Sequence, residues 1–267
     1  MLTLLKEYFK SINNKSLLIT LVKRDIMEKY KGSFIGVFWS IIHPLMLLII
    51  YTFVFSVIYK VRFGAEHSIK NFAIYLFTAM LPWISFSEAV TKASDIVVNQ
   101  VSLVKKTIFP IEMLPFFTVV SSITTEFFAL GVLFLIIIIF YKIAGITLLF
   151  LIIIIFLQLI FTLSISNLVA VLNVFIRDIS QIINVVLMVW MFGTPILYSV
   201  TMIPERFKII YYINPMAIIV TSYRWIILEN KIPPLFDMAI LTVVSFLLFF
   251  ISIFVFEKLK KYIPDLI

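Results

Sequence analysis

Six long apolar runs interrupt the 267-residue sequence and constrain its fold more than any other feature. The hydrocarbon core of a bilayer is about 30 Å thick, which about 20 residues of α-helix can span. No water satisfies free backbone groups within that layer, so each run is predicted to be a helix. The chain is 63% hydrophobic and 13% charged, with a mean hydropathy of +1.14, and a water-soluble domain could not bury so much apolar surface. We therefore predict an all-α integral membrane protein with six transmembrane helices, within Phe34–Tyr59, Phe72–Val98, Leu114–Phe140, Ile146–Leu172, Ile182–Met202 and Leu235–Phe256.

The distribution of polar residues divides the chain into three regions. Residues 1–33 carry apolar side chains at helical spacing, interrupted at "NNKS", which is typical of an amphipathic helix on the cytoplasmic interface. Residues 34–256 form the six-span domain, and residues 257–267 form a cytoplasmic tail. Within residues 203–234 the apolar piece Met216–Leu228 has only 13 residues, too few to cross a bilayer. We predict a re-entrant helix pair there, on the outer side.

Lysine and arginine residues predict the orientation. With the N-terminus inside, the inner segments hold thirteen of them and the outer segments hold eight. Cytoplasmic loops are enriched in positive residues, so both termini and residues 98–113 are predicted to be cytoplasmic. Because the basic residues lie beside apolar runs, the net charge of +8 is assigned to membrane orientation, and no nucleic-acid partner is expected.

Several polar residues lie inside the apolar runs. Glu88, Lys92 and Asp95 share one helical face of the second run. Each charge would cost about 2.5–3.5 kcal/mol at the centre of a lipid-facing helix, so this face is predicted to avoid lipid. It either forms a ladder of salt bridges at the cytoplasmic end or lines a path, and Glu126 allows the same two interpretations. Three asparagines are expected to hydrogen-bond between helices: Asn167, Asn173 and Asn184.

The entrance to the first run combines small residues with a His-Pro pair. Gly32, Gly36 and Ser40 recur at every fourth position, a spacing that favours close contact between two helices. Pro44 predicts a kink, because it lacks a backbone N–H. His43, which precedes it, is expected to be a hydrogen-bonded core residue rather than a ligand.

The chain lacks the motifs of an enzyme. None of its six glycines precedes a lysine, so the phosphate-binding motif G-x-x-x-x-G-K-[ST] is absent. It has no cysteine, and no nucleophile stands beside a base. We expect no catalytic, cofactor-binding or metal-binding residue, so an ion gradient or a separate ATPase must drive any uphill transport. Six helices are few to enclose a wide path, which favours a dimer.

Four stretches resemble a known transporter family. "KRDIMEKYKGSFIGVFWSIIHPL", from residue 23, is similar to the beginning of the permease subunit of type-two ABC exporters for polysaccharides and teichoic acids. Further stretches of that family are similar to "SLVKKTIFPIEMLP", "NVFIRDISQIINVVLMVWMFGTPILY" and "INPMAIIVTSYRWIIL". Many relatives have serine where Thr194 precedes Pro195 here. The resemblance covers nearly the whole chain and implies the type-two ABC exporter fold.

The resemblance implies a homodimer with two separately encoded ABC ATPase subunits, which hold ATP and Mg. It implies export of a lipid-linked, O-antigen-like polysaccharide across the bacterial inner membrane, with membrane lipids as further partners. A teichoic acid or capsular polymer stays open as the substrate, as does a drug or small lipid. An ion-driven secondary transporter would show related halves, and an enzyme of isoprenoid lipids would need clustered carboxylates; neither is evident.

Four groups of candidate residues follow. By resemblance, residues 98–113 contain a coupling helix that contacts the ATPase through Lys105, Lys106, Phe109 and Pro110, although the lysines could instead bind anionic headgroups. The resemblance also implies that the N-terminal helix frames a cytoplasmic opening, with these candidate residues: Arg24, Asp25, Tyr30, Gly32, Gly36 and Trp39. The break between the short helices suggests an external gate with Asn214, Pro215 and Arg224. Aromatic rings can stack on sugars, so Tyr51, Phe55, Trp190, Phe192 and Tyr198 are predicted to line the channel, with lipid contact as the alternative.

Overall fold

The computed structural model describes residues 2–29, 31–58, 69–106, 109–141 and 145–267, and all regular structure in these ranges is helical. This confirms the all-α prediction. A π-helix at Phe53–Ile58 follows α3 directly. The α-helices of the described residues are α1 (Leu2–Ile12), α2 (Lys15–Lys29), α3 (Trp39–Thr52), α4 (Ile69–Asn99), α5 (Val101–Lys106), α6 (Met113–Tyr141), α7 (Leu148–Phe175), α8 (Ile179–Gly193), α9 (Lys208–Ile213), α10 (Pro215–Ile227), α11 (Leu235–Leu259) and α12 (Ile263–Leu266).

Four helices of the described residues are long and apolar enough to cross a bilayer: α4, α6, α7 and α11. They correspond to the second, third, fourth and sixth predicted spans. The first predicted span contains α3 and the π-helix, with 14 and 6 residues, and α3 carries Pro44 in its interior. The fifth contains α8, which has 15 residues. The count of six spans therefore stays a prediction at these two segments.

The fifth apolar run is not one continuous helix, so the predicted helix through Met202 is wrong. α8 ends at Gly193, and the backbone of Thr194 is extended, with φ −99° and ψ 133°. The cause is Pro195, because a proline pushes the residue before it out of the helical region. The chain then passes through a short 3-10 helix at Val200–Met202.

The glycine spacing at the entrance to the first run serves a turn and not a helix contact. Gly32 has φ +81° and Gly36 has φ +58°, values that L side chains rarely adopt. A Cβ atom added at either residue would meet no atom of the described residues within 4 Å. The predicted close contact between helices is therefore wrong here. The glycines instead let the chain turn between α2 and α3.

The centre of the bundle is α7, which contacts α4, α6, α8, α10 and α11. Its buried face contains apolar side chains such as Ile154 and Phe161, together with the polar side chains of Gln158 and Asn167. A buried helix with polar side chains requires partners on its neighbours, because an unpaired polar group is costly in an apolar interior.

The bundle has two ends, which we call basal and apical. At the basal end α2, α5 and α12 meet the ends of the long helices in a cluster that includes Leu21, Val104, Met113, Phe256 and Ile263. At the apical end α10 contacts α4, α7 and α11. Residues 257–267, predicted as a tail, continue α11 to Leu259 and then form a 3-10 helix and α12, which contacts α7.

Candidate transport site

The charged face of α4 forms a ladder of ion pairs with α2 at the basal end. Lys29 Nζ lies 2.8 Å from Glu88 Oε2, and Lys92 Nζ lies 3.0 Å from Asp25 Oδ2 and 3.1 Å from Glu88 Oε1. The Ser121 hydroxyl, on α6, also donates to Asp25 Oδ2. The salt bridges that one alternative predicts are therefore present and hold α2 against the bundle, while Glu88 also lines the cavity described below.

The three asparagines bridge helices, as predicted. Asn167 Nδ2 donates to the Tyr8 hydroxyl at 3.0 Å, which ties α7 to α1. Asn173 Nδ2 donates to Asp95 Oδ1 at 3.2 Å, and Asn184 Oδ1 accepts from Thr91 at 3.4 Å. Burial raises the pKa of Tyr8, so that its hydroxyl keeps its proton.

The residues predicted at the cytoplasmic opening take different positions. Asp25 is part of the ladder. Arg24 instead pairs with Glu28, one helical turn away, at 2.7 Å, and the side chains of Arg24 and Glu28 are exposed. The Trp39 indole nitrogen donates to Ser33 Oγ at 2.8 Å, which positions the ring beside the turn. Tyr30 lies outside the described residues.

A cavity of about 480 Å³ extends from Trp39, one of the residues predicted at the opening, to Glu126 on α6. Lys29, Trp39 and Pro44 line one side, and Glu88 and Glu126 line the other. Three further lining residues could not be predicted, because serine and threonine are common in helices and these carry no distinctive spacing: Ser85, Ser122 and Thr125.

The predicted coupling segment contains a short helix, α5, that is anchored to the basal cluster. Val104 is buried, Phe109 is partly buried against the same cluster, and Lys105 is exposed. The carbonyl oxygen of Pro110 accepts from Met113 N at 3.0 Å in the turn that begins α6. The side chain of Lys106 lies outside the described residues. The segment therefore packs against the ends of the long helices.

A buried carboxylate that the sequence analysis missed fastens this segment to the C-terminal region. Glu112 Oε1 lies 2.6 Å from Lys260 Nζ, which also contacts Glu257 at 2.5 Å. Glu112 and Lys260 are 148 positions apart in the chain. No short-range pattern could have revealed it.

At the apical end α9 and α10 form the two short helices that the sequence predicted. Asn214 caps α10 by accepting from Ala217 N at 3.3 Å, and Pro215 occupies its first turn, where a missing N–H costs nothing. Asn214 also accepts from the Trp190 indole at 2.8 Å and donates to Thr194 Oγ1 at 3.0 Å. The break between the helices thus fixes the end of α8.

Arg224 fastens α10 to two other elements. It donates to the carbonyl oxygens of Tyr75 at 3.2 Å, Pro195 at 2.5 Å and Ile196 at 2.7 Å. Its guanidinium carbon also lies 3.5 Å from the centre of the Tyr75 ring, a cation–π contact. The start of α4, the segment after α8 and α10 are therefore held by one side chain.

The residues predicted to line the channel do not share one surface. Trp190 packs between Phe86 and Phe161, with its ring centre 5.3 Å and 6.2 Å from theirs, whereas Phe192 is exposed. The Tyr198 hydroxyl donates to the Phe192 carbonyl at 3.1 Å, and Tyr51 packs against the core. The side chain of Phe55 lies outside the described residues.

The sequence profile of the ABC-2 type transporters matches residues 16–228, from the start of α2 to just past the end of α10. The chain belongs to the ABC-2 type transporter family. It is 28% identical over 263 residues to the O-antigen export system permease protein RfbA of Myxococcus xanthus, with 98% of each chain covered. It is 30% identical over 253 residues to the protein of the same name from Klebsiella pneumoniae, with 91% of this chain and 92% of the relative covered.

The region that matches the ABC-2 family includes most of the elements described above. The matched region contains the ladder, the coupling segment and the apical helices. An ABC-2 permease works with an ABC ATPase subunit, so this multi-pass membrane protein is the transport component of such a pair. The recognition made from the four sequence stretches is confirmed.

Proposed function

We propose that the chain is the permease of an ATP-driven exporter that moves a lipid-linked, O-antigen-like polysaccharide from the cytoplasmic to the outer side of the bacterial inner membrane. The observation that carries the proposal is the similarity, over 91–98% of the chain, to proteins named as O-antigen export permeases. The permease acts as a homodimer with two ATPase subunits, and these subunits hold ATP and Mg. It performs no chemistry itself.

The arrangement of the basal end supports a cytoplasmic location for both termini and for residues 98–113. The helices α2, α5 and α12 all meet at this end, as a shared cytoplasmic side requires. The thirteen-to-eight distribution of basic residues favours the same orientation. In this topology residues 203–234 face outward.

An exposed apolar face on α8 supports the homodimer. Along this helix Ile182, Val185, Val189 and Phe192 are exposed in the single chain. We propose that a second copy covers this face and forms a path together with the first, with lipid contact as the alternative. A polymer must pass through such a path without close recognition of each unit, and exposed aromatic rings such as Phe192 suit that requirement.

Reconstitution tests the substrate directly. The chain and its ATPase are placed in vesicles and offered lipid-linked O-antigen, teichoic acid or capsular polymer. ATP-dependent transfer of the O-antigen substrate is expected. Transfer of another polymer alone would select the corresponding alternative, and transport driven by an ion gradient without ATPase would overturn the proposal.

The coupling role of residues 98–113 has its own test in the same vesicles. Phe109→Ala removes a ring that contacts the basal cluster at the point where a partner could push. We expect ATP hydrolysis to continue while export falls. Phe207→Ala, which removes an exposed ring at the apical end, is the matched control and should not uncouple the two.

Lys105→Gln together with Lys106→Gln should weaken the binding of the ATPase, and the loss should be larger at low salt than at high salt. Copurification of the ATPase at several salt concentrations measures this effect. Suppose that Phe109→Ala and the double lysine variant both keep wild-type export and wild-type copurification of the ATPase. The segment would then not couple the two subunits.

A further inference from the structure

Three polar side chains from three helices form a closed ring near the middle of α6. The Tyr223 hydroxyl lies 2.6 Å from Glu126 Oε1 and 2.7 Å from Gln158 Oε1. Gln158 Nε2 lies 2.7 Å from Glu126 Oε2 and closes the ring. All three residues are buried, and they come from α10, α6 and α7. This ring is distinct from the basal ladder and from the Arg224 site.

The number of hydrogens that these three contacts require determines whether the carboxyl group of Glu126 is protonated. Each of the three contacts needs one hydrogen between its two heavy atoms. The Gln158 amide supplies the hydrogen of its contact with Glu126, and the tyrosine supplies one, because a hydroxyl has a single hydrogen. If that hydrogen points to the amide oxygen of Gln158, no hydrogen lies between the oxygen atoms of Tyr223 and Glu126. A hydrogen on the Glu126 carboxyl group is needed to complete the ring.

The count does not depend on the orientation of the Gln158 amide. With its nitrogen and oxygen exchanged, the nitrogen donates to Tyr223 and the tyrosine donates to Glu126. The remaining contact then joins the amide oxygen to Glu126 Oε2, and again only a carboxylic acid can supply its hydrogen. One tyrosine hydrogen shared between two acceptors would leave two long contacts, whereas both are at the short end of the range for hydroxyl donors.

The charges around the ring agree with a neutral acid. No described lysine or arginine side chain forms an ion pair with Glu126. Among the described residues that line the same cavity, the other charged ones are Lys29 and Glu88, and they contact each other. A carboxylate at this depth without a cation would be costly, and a proton removes that cost.

We infer that Glu126 is a neutral carboxylic acid. Its proton completes the hydrogen bonds that join α10 to α6 and α7. Loss of this proton leaves two oxygen atoms in contact with no hydrogen between them, which loosens Tyr223 and with it α10. Glu126 also lines the cavity, through which the proton can exchange with water. The inference on protonation does not depend on what the transporter exports.

Infrared difference spectroscopy of the full-length permease in lipid tests the inference. A carboxylic acid has a carbonyl absorption that a carboxylate lacks. In the difference between wild type and Glu126→Gln, we expect loss of an acid band and no loss of carboxylate bands. Glu88→Gln is the matched control, because Glu88 contacts Lys29 and Lys92 and should lose carboxylate bands instead. Loss of carboxylate absorption in Glu126→Gln would overturn the inference.

A second variant covers the case in which Glu126→Gln does not assemble. Tyr223→Phe keeps the carboxyl group and removes its hydroxyl partner, so the acid band should shift in frequency. An unchanged acid band together with shifted carboxylate bands in Tyr223→Phe would also overturn the inference. Because both measurements are made on the permease without ATP, their outcome is separate from that of the export assay.

Discussion

Two cations join helices at opposite ends of this bundle, and they do so with different partners. Lys92, at the basal end, contacts the carboxylates of Asp25 and Glu88 and stays partly exposed. Arg224, at the apical end, is 4% exposed. Its contacts among the described residues are three backbone carbonyl groups and the ring of Tyr75.

The difference predicts that the basal end is more movable than the apical end. Ion pairs between partly hydrated side chains contribute little free energy, and they can break and form again during a motion. A guanidinium group held by fixed carbonyl groups must satisfy several directions at once, so its geometry is much less adjustable. We therefore expect α2 to move relative to α4 more easily than α10 moves relative to the segment after α8.

The largest expected effect is that of Arg224→Ala at the apical end. The change removes the side-chain donor shared by three carbonyl groups and the contact with the Tyr75 ring, which should lower the free energy of unfolding by about 3–5 kcal/mol. Thermal unfolding of the purified permease measures the loss. Arg224→Lys keeps the charge but not the planar group, so it should recover only part of the stability. A wild-type melting temperature for Arg224→Ala would contradict the comparison.

Asn214→Ala should have the next largest effect, about 2 kcal/mol, because it removes the cap of α10 and the contact with Trp190. The same unfolding assay applies. Asn214→Asp is the sharper variant, since it keeps the acceptor for Ala217 and Trp190 and loses the donor to Thr194 Oγ1 and to the Gly193 carbonyl oxygen. It should fall between the wild type and Asn214→Ala. Equal stability of all three would show that the break between α9 and α10 does not hold α8.

The ladder should be weaker than either apical contact. A double-mutant cycle with Asp25→Asn and Lys92→Met is expected to give a coupling free energy of about 1 kcal/mol, because both side chains are partly exposed. The coupling should decrease as salt is raised. A coupling as large as the Arg224→Ala loss would mean that the basal end is as rigid as the apical end.

The smallest effect is expected for Arg24→Ala. Arg24 pairs with Glu28 on the exposed face of α2, with more than half of each side chain exposed. Such a pair contributes about 0.3–0.5 kcal/mol. Unfolding of Arg24→Ala therefore provides the baseline for the ladder. A larger loss would indicate that this face of α2 is covered in the assembled transporter.

The polar residues inside the apolar runs illustrate how far sequence analysis could go. The stripe on α4 was predicted to avoid lipid, because the cost of a charge in hydrocarbon is known without any structure. Whether it formed a ladder or lined a path could not be decided, since Lys92 and Asp25 are 67 positions apart. The structure shows the salt bridges and also places Glu88 on the wall of a cavity. Gly32 and Gly36 show the opposite case, in which a familiar spacing was interpreted as a helix contact and serves a turn.

By itself, the sequence determined the class of this protein: an all-helical membrane protein of the ABC-2 family, with short apical helices divided at Asn214-Pro215. Those features depend on apolar length, proline geometry and motif order, which are local properties of the chain. Tertiary structure alone decided that Glu112 meets Lys260 and that Glu126, Gln158 and Tyr223 form one ring. Each of these contacts joins residues that are far apart in sequence, and such pairings depend on how the helices pack rather than on any local pattern.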